Sequence, residues 1–229
     1  MHDVAIQVEK IRTQLAAACQ RCGREAGSVR LVAVSKKKPA QMIEQAHAAG
    51  QELFGESYVQ EFVDKVEAVT SPVCWHFIGA LQSNKVKYLR GKVAMIHSLD
   101  RLSLAREIDR QWGKLGAPIE VLVQVNLAAE ESKSGVGEAE LPLLLEELAR
   151  LPHLQVVGLM TLPPYCSDPE EVRPYFRRLK DLAAEIDAKS LPGIEMRELS
   201  MGMSHDFEVA IEEGATLIRV GSAIFGERD

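Results

Sequence analysis

Three consecutive lysines, Lys36, Lys37 and Lys38, end the apolar run LVAVS at 31–35. Side chains alternate along an extended strand, so Val32, Val34 and Lys36 share one face while Leu31, Ala33 and Ser35 share the other. A lysine that continues an apolar face is costly to desolvate as an ammonium. Burial and two neighbouring cations both favour its neutral form, and the neutral amine is the form that makes a Schiff base with a carbonyl. A lysine run is also a common solvated turn, so the assignment depends on what else the fold brings to that strand end.

The far end of the chain supplies it. Arg219 shares the strand parity of Leu217 and precedes Val220-Gly221-Ser222. An always-cationic guanidinium pointing inward needs a partner, either a ligand atom or a buried strand carboxylate. Gly221 permits close backbone approach to an anion, with the amides of Gly221 and Ser222 directed at it. One strand earlier, Ser200-Met201-Gly202-Met203-Ser204 brings hydroxyls and another glycine. Each serine–glycine pair alone reads as an ordinary turn. Together with Lys36 and Arg219 they outline a pocket for an aldehyde that carries a phosphate, and pyridoxal 5′-phosphate (PLP) fits that description best.

These residues must be positioned by alternating elements. Short β-branched runs at 30–35, 52–55, 75–78, 95–98, 119–126, 154–160, 197–200 and 216–220 read as strands. Helical patterns fill 40–49, 57–69, 101–115, 138–151, 174–189 and 205–213, with shorter connections at 82–91 and after Gly221. Ser57 with Gln60 has the spacing of a capping box. An additional amphipathic helix opens the chain, with Val4, Val8, Ile11, Leu15, Ala18 and Cys22 on one stripe. Eight strand–helix units predict an α/β (β/α)8 TIM barrel with an extra N-terminal helix, whose active site lies at the carboxyl ends of the strands. A doubly wound open sheet is the alternative, but the turn after the first strand is lysine-rich where that fold wants glycines.

The 229 residues allow one full hydrophobic core, expected here as a single domain over 1–229. A net charge of -6, from 27 basic and 33 acidic side chains, argues against nucleic acid as a partner. No apolar run approaches a membrane span and the N-terminus lacks signal-peptide character, so a cytoplasmic setting without membrane association is expected. Cys19 and Cys22 form an isolated C-x-x-C with no further ligands at close spacing, so no metal is expected. His76 reads as a hydrogen-bonded core histidine. Gln124 and Asn126 offer neutral polar contacts at the end of the fifth strand. Lys85, Lys87, Arg90 and Lys92 read as a solvated basic face.

The segments LVAVSKKKP (31–39), FGESYVQE (54–61), WHFIGALQSNKVK (75–87), ESKSGV (131–136), GLMTL (158–162), ELSMGMSHDFEVAI (198–211) and RVGSAIFGERD (219–229) resemble, in order, those of the pyridoxal-phosphate homeostasis family. This resemblance implies an alanine-racemase-type N-terminal barrel without the racemases' second domain, and PLP as cofactor. It places the Schiff base on Lys36, the phosphate on Ser200, Gly221 and Ser222, and Arg219 facing the cofactor ring. Met201, Gly202 and Ser57 fall within the same cofactor-binding segments, although Ser57 stands where the family commonly has asparagine. Ser222 replaces a frequent threonine, and His205 a common acidic or small residue. Lys38 and Lys133 match lysines that would assist cofactor exchange.

The function expected is PLP homeostasis, a cofactor carrier that buffers or delivers PLP, with apo PLP-dependent enzymes as partners and a monomeric state. A PLP-dependent amino-acid racemase is the alternative. Racemisation needs acid–base groups on both faces of the substrate. The barrel takes up the chain length, so only Lys36 is expected on one face, and the other is expected to be open to solvent.

Overall fold

The computed structural model describes residues 3–128 and 134–227. Lys133 lies outside them. The order is α1 (Val4–Arg21), β1 (Arg30–Val34), α2 (Ala40–Ala48), β2 (Leu53–Glu56), α3 (Val59–Ala68), β3 (Cys74–Phe77), β4 (Met95–Leu99), α4 (Leu102–Gly113), β5 (Ile119–Val125), α5 (Leu141–Leu148), β6 (Leu154–Thr161), α6 (Arg173–Asp187), β7 (Ile194–Ser200), α7 (Phe207–Glu212), β8 (Leu217–Val220) and α8 (Ser222–Phe225). The connection after β3 is the 3-10 turn Ser83–Tyr88. The eight strands are parallel and close in sequence order, with β1 pairing β8 through Leu31 and Ile218 and through Val32 and Arg219. The fold is the expected (β/α)8 barrel. Each predicted strand forms, with ends shifted by a few residues at most.

Strand parity divides the molecule into two apolar layers. Val32, Met95, Leu122, Val157, Met160 and Leu217 fill the lumen. The alternate residues, among them Leu31, Ala33, Phe54, Trp75, Phe77, Ile96 and Ile218, pack outward beneath the helices. The Trp75 ring meets Phe62 of α3 edge-on at 5.8 Å between centroids.

Two local expectations fail for identifiable reasons. Ser57 is not the helix cap: α3 starts at Val59 behind Tyr58 with no side-chain cap, and Gln60 bonds Asp64 instead. Ser57 is held in the loop because Gly79 packs directly on its backbone, where a Cβ would lie 2.1 Å from the Ser57 carbonyl oxygen. Cys22 is the half-buried C-cap of α1, and Cys19 takes its place on the buried stripe.

The lumen also carries a polar chain. Arg219 donates to the Ser200 hydroxyl at 2.7 Å and to the Thr161 carbonyl at 2.9 Å. Ser200 Oγ lies 2.9 Å from His97 Nδ1, and His97 Nε2 lies 2.8 Å from His76 Nδ1. His76 is thus the hydrogen-bonded core histidine that the sequence suggested. Burial keeps both imidazoles neutral: His76 is pushed down to about 3, and His97 is lowered by burial and then by its neighbours His76 and Arg219.

Two outcomes follow for stability. Below the ordinary histidine value of 6.5 the unfolded chain binds protons that the folded chain refuses. The stability due to neutral His76 is therefore complete above pH 6.5 and lost as pH falls towards 3, and thermal melts across that window should show a shallower acid-side loss in His76→Asn. In chemical denaturation Leu122→Ala should cost about 2–5 kcal/mol, as for other buried leucines, whereas exposed Leu143→Ala should change stability by less than about 0.5 kcal/mol.

Candidate functional site

At the carboxyl ends of the strands, β1, β8 and the loops after β2, β3, β6 and β7 surround a cavity of about 250 Å³. Lys36 enters it from the end of β1 beside Val34. Arg219 joins the lining from the neighbouring strand β8, in register with Val32, and is 4% exposed. Burial pushes its guanidinium down to about 10, with Asp206 opposing the shift, so it remains a cation at neutral pH. Among the described residues it has no ion pair, and its contacts to Ser200 and Thr161 are with neutral oxygens. The alternative of a strand-carboxylate salt bridge is thus not realised, and a fixed positive charge faces the cavity.

Gly221 and Ser222 line the wall next to Lys36. The strand end is tight there, since a Cβ on Gly221 would lie 3.1 Å from the Val34 carbonyl oxygen. Ser204, whose hydroxyl the sequence reading noted at this strand end without assigning it to the cofactor, also lines the cavity. Its hydroxyl accepts from the Gly221 N–H at 3.2 Å and the Ala223 N–H at 3.4 Å. It lies four residues beyond Ser200, in the loop that follows β7. Val34, Ile78 and Leu162 provide apolar walls, while Tyr165 and His205 stand on the rim, where Tyr165 is 80% exposed. The His205 Nε2–H donates to the Ser167 carbonyl at 2.9 Å.

The structure thus brings together Lys36, Ser57, Arg219, Gly221 and Ser222. Ser200 stands one layer below, fully buried between His97 and Arg219, so its hydroxyl orients Arg219. Met201 has the opposite parity: its side chain is fully buried in the outer layer and does not reach the cavity. Gly202 serves helix packing rather than the cavity. Its φ is +89°, and a Cβ there would lie 2.6 Å from the Ala210 Cβ and 2.9 Å from the Phe207 Cα. Gln124 is used internally, donating to the Ser134 carbonyl at 2.8 Å. Lys38 donates to the Glu227 carbonyl at 2.6 Å, tying the β1 turn to the segment after α8.

A larger groove of about 590 Å³ runs outside the barrel between α1 and α7, but neither Lys36 nor Arg219 reaches it. The smaller cavity holds the reactive combination. It pairs an amine for a carbonyl carbon with hydroxyls and a close backbone turn for an anion. It adds a buried cation and apolar walls for a flat ring. No carboxylate lines it among the described residues. An anionic aromatic aldehyde fits this donor set.

Comparison with known proteins agrees. The family model described as alanine racemase, N-terminal domain, matches residues 6–229. The pyridoxal phosphate homeostasis protein of Aquifex aeolicus is 47% identical over 223 residues, 97% of each chain. PipY of Synechococcus elongatus, solved with PLP bound, superposes with a TM-score of 0.86 at 37% identity, covering 97% of this chain and 100% of that one. The alanine racemase of Corynebacterium glutamicum shares the fold at 18% identity, with a TM-score of 0.70 over 96% of this chain and 62% of its own. The chain therefore belongs to the alanine racemase N-terminal domain family and, within it, to the pyridoxal phosphate homeostasis proteins.

Proposed function

We propose that this protein binds pyridoxal 5′-phosphate in the barrel cavity and serves PLP homeostasis by holding and releasing the cofactor without turning over a substrate. The observation that carries the reading is the convergence of Lys36, Arg219, Ser204, Gly221 and Ser222 on one cavity of about 250 Å³. The bound cofactor supplies an aldehyde that an amine can take up reversibly. Lys36 would provide that amine, with Val34 on the same strand face supplying an apolar part of the wall beside it. Ser222 would meet the phosphate end with its backbone N–H and hydroxyl, and Gly221 would let the chain approach closely. Ser204 holds the turn by accepting its N–H groups. Arg219, aimed by Ser200 and Thr161, stays protonated and would offer a fixed positive charge to the ring end of the cofactor. Ser57 closes the side near β2 in place of a residue with a longer amide reach.

The non-catalytic part rests on what surrounds the amine. Among the described residues, the other ordinary acid–base groups lining the cavity are Tyr165 and His205, and both are exposed on the rim. A group so placed is not held against the face opposite Lys36, which two-base chemistry at Cα requires. An exposed rim favours exchange with solvent and with apo PLP-dependent enzymes over sequestered chemistry. The curated relatives' names support the same reading. We take 1–229 as one cofactor-binding unit, acting as a monomer in the cytoplasm. Lys38 assists exchange through its tie to the Glu227 carbonyl, and Lys133 is a second candidate for that step.

Purified protein with saturating PLP should be yellow, and Lys36→Ala should lose the visible band completely. Borohydride treatment of wild type should add the cofactor mass to the Lys36 peptide, and a band that survives in Lys36→Ala would overturn the assignment. In deuterated buffer the loaded protein should exchange Cα protons of amino acids far below the ~10 s⁻¹ typical of enzymes. Exchange at enzymatic rates would establish a PLP enzyme instead. Transfer to an apo-enzyme should slow about tenfold in Lys38→Ala if that tie is worth one hydrogen bond to a charged group; unchanged kinetics would remove Lys38 from the exchange step.

A further inference from the structure

On the outer side of the lysine turn, four polar side chains are packed between β1, β2 and α3. Ser35 and Glu56 are fully buried, and Lys65 is 6% exposed. The Lys65 ammonium donates three bonds, each 2.6 Å long, to the Ser35 carbonyl, to Glu56 Oε1 and to Glu61 Oε1. All three of its protons therefore have acceptors. The Ser35 hydroxyl donates to the same Glu56 oxygen at 2.6 Å, and Glu61 Oε1 also accepts from the Lys37 backbone N–H.

The two backbone groups that bracket Lys36, the Ser35 carbonyl and the Lys37 N–H, are thus both tied to the Lys65–Glu61 pair. Between them the chain is forced: Lys37 has φ +60°, a left-handed conformation that is costly for a non-glycine residue. Stability alone does not account for the cluster. Burying an ammonium with carboxylates gives little or nothing over an apolar replacement of equal volume. Glu56 Oε2 even lies buried with no hydrogen-bond partner. What the cluster does achieve is geometric. Ser35 points outward into it, so Lys36, with the opposite parity, points inward to the cavity.

We propose that Glu56, Lys65 and Glu61 form a positioning clamp: they lock the turn from Ser35 to Lys37 and thereby aim the Lys36 amine into the cavity, without touching the cavity themselves. The need for an aimed amine rests on the PLP reading above. The clamp itself can be tested without PLP.

The variant is Glu61→Ala, because the Glu61 side chain is 23% exposed and its loss leaves the Lys65–Glu56 pair intact. Glu61→Gln keeps an acceptor oxygen and serves as the rescue. Two readouts bypass the cofactor: hydrogen exchange at the Lys37 amide, and reductive trapping of Lys36 by benzaldehyde with cyanoborohydride, mapped by peptide mass spectrometry against exposed Lys87. Glu61→Ala should speed Lys37 exchange and lower relative trapping at Lys36, each about tenfold, the loss expected for one charge-assisted hydrogen bond. Glu61→Gln should stay within about twofold of wild type, and PLP affinity should follow the trapping ratio. Unchanged trapping in Glu61→Ala, with or without faster exchange, overturns the clamp, as does an equal loss in Glu61→Gln. Failure of wild type to bind PLP overturns the functional reading alone, and the trapping ratio still decides the clamp.

Discussion

A guanidinium buried in the barrel lumen sets the terms for the rest of this structure. Arg219 is 4% exposed, and its hydrogen bonds go to a serine hydroxyl and a backbone carbonyl. Such a charge is costly to bury without a counter-ion. Two features make it tolerable. The polar chain through Ser200, His97 and His76 gives it an oriented, neutral dipolar bed, with both histidines held neutral by burial. The cavity above it provides room for an anionic or hydrogen-bonding ligand, which would add to the partial compensation from Asp206.

Closure of the parallel sheet converts this into a site. Every strand ends on the same rim, so residues as far apart as Lys36 and Arg219 line one cavity although 183 positions separate them (219 − 36). Parity then sorts neighbours by role. Val34 and Lys36 face the cavity while Ser35 faces the buried ion cluster. Ser200 lies in the lumen while Met201 packs outward. A one-residue slip at either strand would exchange these roles, and the apolar layers on both faces make such a slip costly.

The family shares its barrel with enzymes, which makes the surroundings of the amine more informative than the fold itself. The chain matches 97% of the Aquifex aeolicus homeostasis protein but only 62% of the alanine racemase it superposes on. The acid–base groups at the cavity mouth are exposed rather than enclosed. That exposure is what the carrier reading proposed above rests on.

Much of this was legible in the residue order. The alternation of short β-branched runs with amphipathic segments determined an eight-unit parallel barrel, because period and length are local properties. Strand parity put Lys36 and Arg219 on inward faces, and the glycine–serine turn after β8 marked the anion end. Other features depend on contacts between distant segments. Ser57 reads as a helix cap until Gly79 is seen pressing on its backbone. Gly202 reads as a phosphate-loop glycine until α7 is seen crossing it. His97 and Glu56 carry no local mark, since a buried polar residue looks like any other until its partners, 9 to 103 positions away, arrive. Sequence alone decided which faces the side chains take, because backbone geometry is periodic. Tertiary structure decided which of them are partnered, because hydrogen bonding inside a barrel is settled by distance in space.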